Sequence, residues 1–248
     1  MTQTAELAAL AALLRESRHV AVLSGAGMST ESGIPDFRSA NGLWARDMSL
    51  PEVVSIGYFR RDPHAFWRAF RDIFRIKLAG GYQPNDGHRF LSWLENGERR
   101  VSVLTQNIDG LHARAGSREV VELHGSLLGA HCPSCATAVG FDLILEQDVP
   151  ACPSCGAIVK PDVVLYGEAV PAIETAFERA LAADLLLVLG SSLEVGPVNL
   201  IPVECARAGI PVALINLSET HFDGVFDIVI RAGIGASCQR LKSLLEAG

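Results

Sequence analysis

Ser24-Gly25-Ala26-Gly27-Met28-Ser29-Thr30-Glu31-Ser32-Gly33-Ile34-Pro35-Asp36-Phe37-Arg38 directly follows the apolar run His19-Val20-Ala21-Val22-Leu23. So many branched residues in so short a run predict a strand buried on both faces of a parallel sheet. A buried strand that gives way to Gly-x-Gly is how an α/β protein brings backbone close to a phosphate. The glycines turn the chain and remove the Cβ atoms that would hold a ligand off, and the N–H groups of a following helix attract the anion. Gly25-Ala26-Gly27 alone also fits a plain structural turn. Thr30 stands where the third glycine of a dinucleotide fingerprint would fall, and no strand with an acidic end follows about 20 residues later. Asp36-Phe37-Arg38 changes the reading. It sets a carboxylate, an aromatic face and a guanidinium side by side after a proline, in a segment too polar for core.

Further apolar runs continue the pattern: Val101–Leu104, Val120–Leu123, Val163–Leu165, Leu185–Leu189, Val212–Ile215 and Ile228–Ile230. Helical Ala/Leu/Glu/Arg segments such as 172–183 and 202–208 separate several of them. The alternation predicts a doubly wound, mostly parallel sheet with helices on both faces. From Gly42 to Gly81 strand-like runs are absent and aromatics are dense (Trp44, Tyr58, Phe59, Phe66, Trp67, Phe70, Phe74). This reads as a helical insertion whose aromatics pack its own interior, or in part as a loop over a ligand.

Composition narrows the class. With 248 residues the chain can bury a sizeable core in one large or two small domains. It is 49% hydrophobic and 20% charged, which is globular rather than disordered, and its net charge of −7 argues against a phosphate-backbone binder. The segment 1–17 has no basic n-region and reads as an amphipathic helix rather than a signal peptide. No apolar stretch reaches the roughly 18 residues of a membrane span. A reducing, cytoplasmic setting follows from the cysteine usage.

Three more apolar runs end in polar residues. Val101–Leu104 runs into Thr105-Gln106-Asn107-Ile108-Asp109-Gly110, Leu185–Leu189 into Gly190-Ser191-Ser192, and Val212–Ile215 into Asn216-Leu217-Ser218. Each is compatible with an ordinary turn. In a parallel sheet, however, all of them converge on one crevice at the carboxyl edge, and that convergence argues for a dinucleotide site. His124-Gly125 closes the run from Val120 to Leu123. A histidine there is either a satisfied turn residue or a base that titrates near neutrality.

Cys132-Pro133-Ser134-Cys135 and Cys152-Pro153-Ser154-Cys155 are two C-x2-C knuckles separated by sixteen residues. That spacing favours a tetrahedral four-thiolate zinc site. Sulfur fills all four positions, leaving none for water, so the metal is structural. A nucleic-acid-binding zinc ribbon is the rival reading. Between Cys132 and Cys155 there is no Lys or Arg to displace counterions from phosphate. Cys205 and Cys238 read as small buried side chains.

Taken together, these pieces resemble the sirtuins, NAD-dependent protein lysine deacylases. The likeness rests on Gly25 to Ser29, Gly33 to Arg38, Thr105 to Asp109 with Leu111-His112, His124-Gly125, the four cysteines, Tyr166-Gly167-Glu168, Gly190-Ser191-Ser192 and Asn216-Leu217. They occur in the family's order. The resemblance implies a Rossmann-like NAD-binding domain built from 1–41, 82–127 and 162–248. A small domain would hold a helical module (42–81) and a zinc module (128–161). NAD+ and acyl-lysine would meet between them.

By position, His124 would be the proton acceptor, with Asn107 and Asp109 near the nicotinamide and ribose. Gly25, Ala26, Gly27, Thr30, Asp36, Phe37, Arg38, Trp44, Gln106, Ile108, Gly190, Ser191, Ser192, Asn216, Leu217, Ser218 and Ile234 would line NAD+. Val164, Leu165, Tyr166, Gly167 and Glu168, with Glu194, Val195 and Gly196, would flank a peptide added as a strand. The chemistry implied transfers the acyl group to ADP-ribose and releases nicotinamide, so that NAD+ is consumed and one structural zinc takes no part. The implied partners are acyl-lysine proteins or peptides, with no nucleic acid and no membrane. Two other readings stay open: an ADP-ribosyltransferase on the same scaffold, and a silent zinc-stabilised NAD or peptide binder. Sirtuins that prefer succinyl- or malonyl-lysine carry a Tyr-x-x-Arg pair in the segment equivalent to 66–77. Here those positions hold Arg71 and Phe74. A neutral acyl group is expected, with Arg71 as the residue that leaves the matter open.

Overall fold

The computed structural model describes residues 2–36, 50–79, 81–96 and 99–247. Six strands form one parallel sheet: β1 (His19–Ser24), β2 (Arg100–Thr105), β3 (Glu119–Glu122), β7 (Leu185–Leu189), β8 (Val212–Ile215) and β9 (Ile228–Ile230), in the order β3-β2-β1-β7-β8-β9. A second, antiparallel sheet orders β5 (Ala138–Gly140), β4 (Gly125–His131) and β6 (Lys160–Val163). The large sheet is Rossmann-like and doubly wound, as the alternation of runs predicted.

Helices Gln3–Glu16, Asp86–Glu95 and Ile234–Glu246 cover one face of the large sheet, and Ile173–Leu181 and Ile201–Arg207 cover the other. The five residues of β7 have no exposed surface. Burying a Leu or Val contributes roughly 1.5–3 kcal/mol, so a fully apolar strand belongs at the centre, where both faces are covered. β1 lies beside it, Val20 opposite Leu185 and Ser24 opposite Leu189. Chain order runs outward from β1 through β2 in one direction and from β7 through β8 in the other. The boundary between β1 and β7 is therefore the topological switch point, where open α/β sheets bind ligands.

One apolar run falls elsewhere. Val163–Leu165 is not a strand of the parallel sheet. Val163 ends β6 in the antiparallel sheet, and Tyr166 forms an isolated parallel bridge opposite Ser55. The run is apolar because Val163 and Leu165 face a third apolar cluster, which joins helices Ile56–Arg61 and Pro63–Ala79 to β4, β5 and β6. Phe59, Phe66, Trp67, Phe70 and Phe74 form the aromatic part of that cluster, and the Trp67 indole N–H donates to the Val159 carbonyl at 2.7 Å. The dense aromatics of the insertion are thus mainly its core. Among the described residues no helix is long and apolar enough to cross a membrane.

Candidate active site

The residues after β1 form a seven-residue 3-10 run, Ala26–Ser32, rather than the α-helix that usually follows a dinucleotide loop. Close backbone packing explains its shape. A Cβ on Gly25 would stand 2.7 Å from the Gly190 carbonyl oxygen, and one on Gly27 would stand 2.8 Å from Gly190 Cα. Gly190 itself has φ +61°, and a Cβ there would meet Met28 N at 2.4 Å. Three glycines let the loops after β1 and β7 interlock across the switch point.

The end of β2 is tied into that joint. Asn107 Nδ2 donates to the Gly25 carbonyl at 3.0 Å and to Ser29 Oγ at 3.1 Å. Asp109 Oδ2 accepts from Ser29 Oγ at 2.7 Å, and its Oδ1 accepts from the Leu111 N–H. Gln106 Nε2 donates to Ser191 Oγ at 2.8 Å. Its carbonyl oxygen lies 3.0 Å from His124 Nδ1. A carbonyl can only accept, so Nδ1 carries the proton and Nε2 keeps its lone pair. His124 is half-buried, and desolvation holds its pKa below the ordinary value, partly opposed by the Gln106 contact.

Gly125 permits a close approach of two strands. With φ +73°, it brings the chain so near β6 that a Cβ would sit 1.9 Å from the Asp162 carbonyl oxygen. That approach lets the Val164 N–H donate to the His124 carbonyl at 2.9 Å. The histidine backbone is fixed by the small sheet, and its ring by the large one.

These pieces surround a cleft of about 410 Å³. Of the residues singled out in the sequence, Gly25, Ala26, Gly27, Asp36, Gln106, Asn107, Ile108, His124, Val164 to Glu168, Gly190 to Ser192, Glu194 to Gly196, Asn216 and Ser218 line it. Asp109 stands behind the wall through Ser29. Thr30 turns back, its hydroxyl donating to the Gly27 carbonyl. Leu217 is 71% exposed, and Ile234 lies in the core beside Gly87 of helix Asp86–Glu95. Phe37, Arg38 and Trp44 lie outside the described residues. Sequence reading did not assign Val54, Phe70, Val170 or Glu219 to the site, and Phe74, which the resemblance set against the acyl group, lines the cleft together with Val163. Phe66, Phe70 and Phe74 recur at helical spacing, which reveals an apolar face but not that one end of it opens into a cleft.

Arg71 points away from the cleft. Its guanidinium donates to the Ile144 and Gln147 carbonyls and lies 3.6 Å from Asp148. It satisfies the carboxyl end of helix Phe141–Glu146, while Phe70 and Phe74 face the cleft.

At the far side of the antiparallel sheet the two knuckles fold alike. Ala136 N–H donates to the Cys132 carbonyl and Gly156 N–H to the Cys152 carbonyl, each at 2.9 Å, and Ala136 and Gly156 both have positive φ. The four Sγ atoms lie within 4.8 Å of one another, with Cys132–Cys155 and Cys135–Cys152 at 3.5 Å. Zn–S bonds of about 2.3 Å in a tetrahedron need sulfurs about 3.8 Å apart. The four cysteines are positioned to bind one zinc ion, with no position left for water.

A family model described as "Sir2 family" matches residues 25–197. The chain belongs to the Sir2 family. It is 66% identical over 238 residues to an "NAD-dependent protein deacetylase" of Chromobacterium violaceum, covering 96% of this chain and 98% of the relative. It is 51% identical to "NAD-dependent protein deacetylase 2" of Geobacillus kaustophilus, covering 96% and 97%. A solved Sir2 enzyme superposes with TM-score 0.89 at 37% identity over 98% of both chains. A Sir2–p53 peptide–NAD+ complex gives 0.84 at 36% identity, over 97% of this chain and 98% of that one. The Sir2 likeness thus spans both sheets and the cleft between them.

Proposed function

We infer that this chain is an NAD-dependent protein lysine deacetylase acting on protein or peptide substrates. The observation that carries the reading is His124. It is held by the Gln106 carbonyl at Nδ1, so that Nε2 is its basic atom, in a cleft walled by interlocked glycine loops on one side and Val164 to Glu168 on the other. Its relatives of matching length carry that activity in their names.

Bound NAD+ supplies a nicotinamide leaving group and the ADP-ribosyl acceptor for the acyl group. The protein's part is to bind, orient and move one proton. Gly25, Gly27 and Gly190 let the loops after β1 and β7 pack backbone to backbone at the switch point, where the dinucleotide would lie. Asn107 and Asp109, locked through Ser29, hold fixed polar groups near the reacting ribose. His124 Nε2 takes the proton of a ribose hydroxyl, and the Gln106 carbonyl stabilises the imidazolium by accepting from Nδ1–H. Val164 to Glu168, with Glu194 to Gly196, offer backbone to an acyl-lysine peptide. Val54, Phe70, Phe74 and Ile108 exclude water around the acyl chain.

The division expected from the sequence, with 1–41, 82–127 and 162–248 as the NAD-binding domain, 42–81 as helical module and 128–161 as zinc module, is kept as part of this reading. The helical and zinc modules share one apolar cluster apart from the two that cover the large sheet, which supports grouping them as one small domain.

Incubation with NAD+ and an acetyl-lysine peptide is expected to give deacetylated peptide, nicotinamide and O-acetyl-ADP-ribose by mass spectrometry. ADP-ribose attached to protein without acetyl transfer would overturn the reading.

A further inference from the structure

Lys160 is buried, with 8% of its surface exposed, and belongs neither to the zinc site nor to the cleft wall. Its ammonium contacts three oxygens: the Pro161 carbonyl at 3.2 Å, the Val163 carbonyl at 2.9 Å and Glu168 Oε2 at 2.9 Å. Burial of a lysine is costly unless every proton is placed, and here three donors meet three acceptors. The same Glu168 oxygen accepts the Leu165 N–H at 2.9 Å, and the Glu168 N–H donates to the Leu165 carbonyl at 3.0 Å. Lys160 therefore grips both ends of the segment 163–168, the wall along which the peptide is read.

Backbone ties also hold that segment. Val163 pairs with Gly125, the Val164 N–H donates to the His124 carbonyl, and Tyr166 exchanges hydrogen bonds with Val54 and Ile56. None of these fixes the turn at Gly167, which has φ +89°. On its other side Lys160 pairs in register with His131, the residue before the zinc-site Cys132. Lys160 thus ties the register of the zinc-bearing sheet to the far end of the substrate wall at Glu168.

We propose that Lys160 is a positioning residue for acyl-lysine peptides: its ammonium, clamped on Glu168 and the Val163 carbonyl, sets the backbone of 164–167 at the spacing an added peptide strand requires. This rests on the deacetylase reading above. Lys160 touches no reacting group, and the glycine loops that serve NAD+ lie on the other wall. Its loss weakens peptide binding and leaves NAD+ binding intact.

The test compares wild type with Lys160→Met, Lys160→Arg and Glu168→Gln. Peptide and NAD+ are varied in turn during deacetylation of an acetyl-lysine peptide, with thermal melts and anisotropy of a labelled acetyl-lysine peptide alongside. Lys160→Met is expected to raise the peptide KM by about tenfold while the NAD+ KM stays within about twofold. Lys160→Arg should recover most of that loss. Glu168→Gln should give a smaller rise, because its amide oxygen still accepts the Leu165 N–H. A merely structural lysine would lower Tm and the yield of active enzyme without moving the peptide KM, and that result overturns the proposal. So does a Lys160→Arg variant as impaired as Lys160→Met. If Lys160→Met does not fold, an unchanged peptide KM in Glu168→Gln overturns it in the same way. An inactive wild type that still loses peptide affinity in Lys160→Met would sink the deacetylase reading and leave the positioning role standing.

Discussion

The two walls of the cleft are built on opposite plans. On the large-sheet wall, backbone meets backbone: Gly25, Gly27 and Gly190 interlock, and Gln106 and Asn107 bind the loops together with neutral hydrogen bonds. On the small-sheet wall, short strands are held by side chains: four thiolates, an aromatic cluster and a buried Lys160–Glu168 pair. The first wall draws its rigidity from a sheet whose central strand is wholly buried. The second has only three strands of three to seven residues and requires staples. His124 stands where they meet, ring tied to one and backbone to the other. Precision in this site comes from two independently anchored surfaces.

Zinc removal separates the walls most sharply. Cys152→Ala, or exhaustive chelation, should lower Tm by about 10 °C or more, since closing such a site supplies several kcal/mol of folding energy. Peptide affinity should collapse while NAD+ affinity, read by calorimetry, falls less than about tenfold. A variant that keeps its full Tm after complete metal loss would break the comparison. Gly190→Ala is the converse. Its Cβ meets main-chain atoms at φ +61°, and the expected result is a loss of NAD+ affinity of about a hundredfold, with zinc content unchanged.

Acyl discrimination sharpens the account of the second wall. Arg71 is committed to the Ile144 and Gln147 carbonyls and Phe74 faces the cleft, so among the described residues no Lys or Arg lines it to pair a succinyl carboxylate. Acetyl-lysine should exceed succinyl-lysine in kcat/KM by about a hundredfold or more. Equal efficiencies would mean that Arg71 leaves the helix end and enters the pocket.

A pH effect belongs to the first wall. His88 and His112 lie buried behind the end of β2, their rings 4.7 Å apart, and His112 Nε2 contacts Ser24 Oγ at 2.8 Å. Burial depresses their pKa values to about 4 and about 3. Folded, they stay neutral, whereas the unfolded chain takes up protons below about pH 6.5. Stability is therefore complete above that pH and declines as pH falls toward 4, by up to roughly 1.4 kcal/mol per pH unit for each group. A flat melting temperature between pH 7 and 4.5 would contradict this.

The large wall was the more legible in the sequence, because parallel-sheet physics leaves marks on contiguous residues. Apolar runs such as Leu185–Leu189 mark strands, and the polar residues just after them mark the crevice. The knuckles were equally plain, since metal geometry dictates spacing. What stayed hidden depends on contacts between distant segments. Val163–Leu165 is as apolar as any strand of the large sheet, but its partner surface is the aromatic cluster of another segment. Arg71 and Phe74 differ only in which side of one helix they occupy. Lys160 reads as an ordinary charged residue until the fold closes three oxygens around it.

The most direct test is His124→Ala, measured on one preparation for melting temperature, NAD+ affinity and deacetylation. The variant should stay folded and bind NAD+, while product formation drops by about 10²–10⁴-fold, as is usual for loss of a general base. In the wild type, kcat/KM should rise with pH through the His124 pKa, which burial places below about 6.5, and that limb should vanish in the variant. A folded, NAD+-binding His124→Ala enzyme that deacetylates at the wild-type rate would reduce His124 to a structural joint between the two walls and contradict the mechanism.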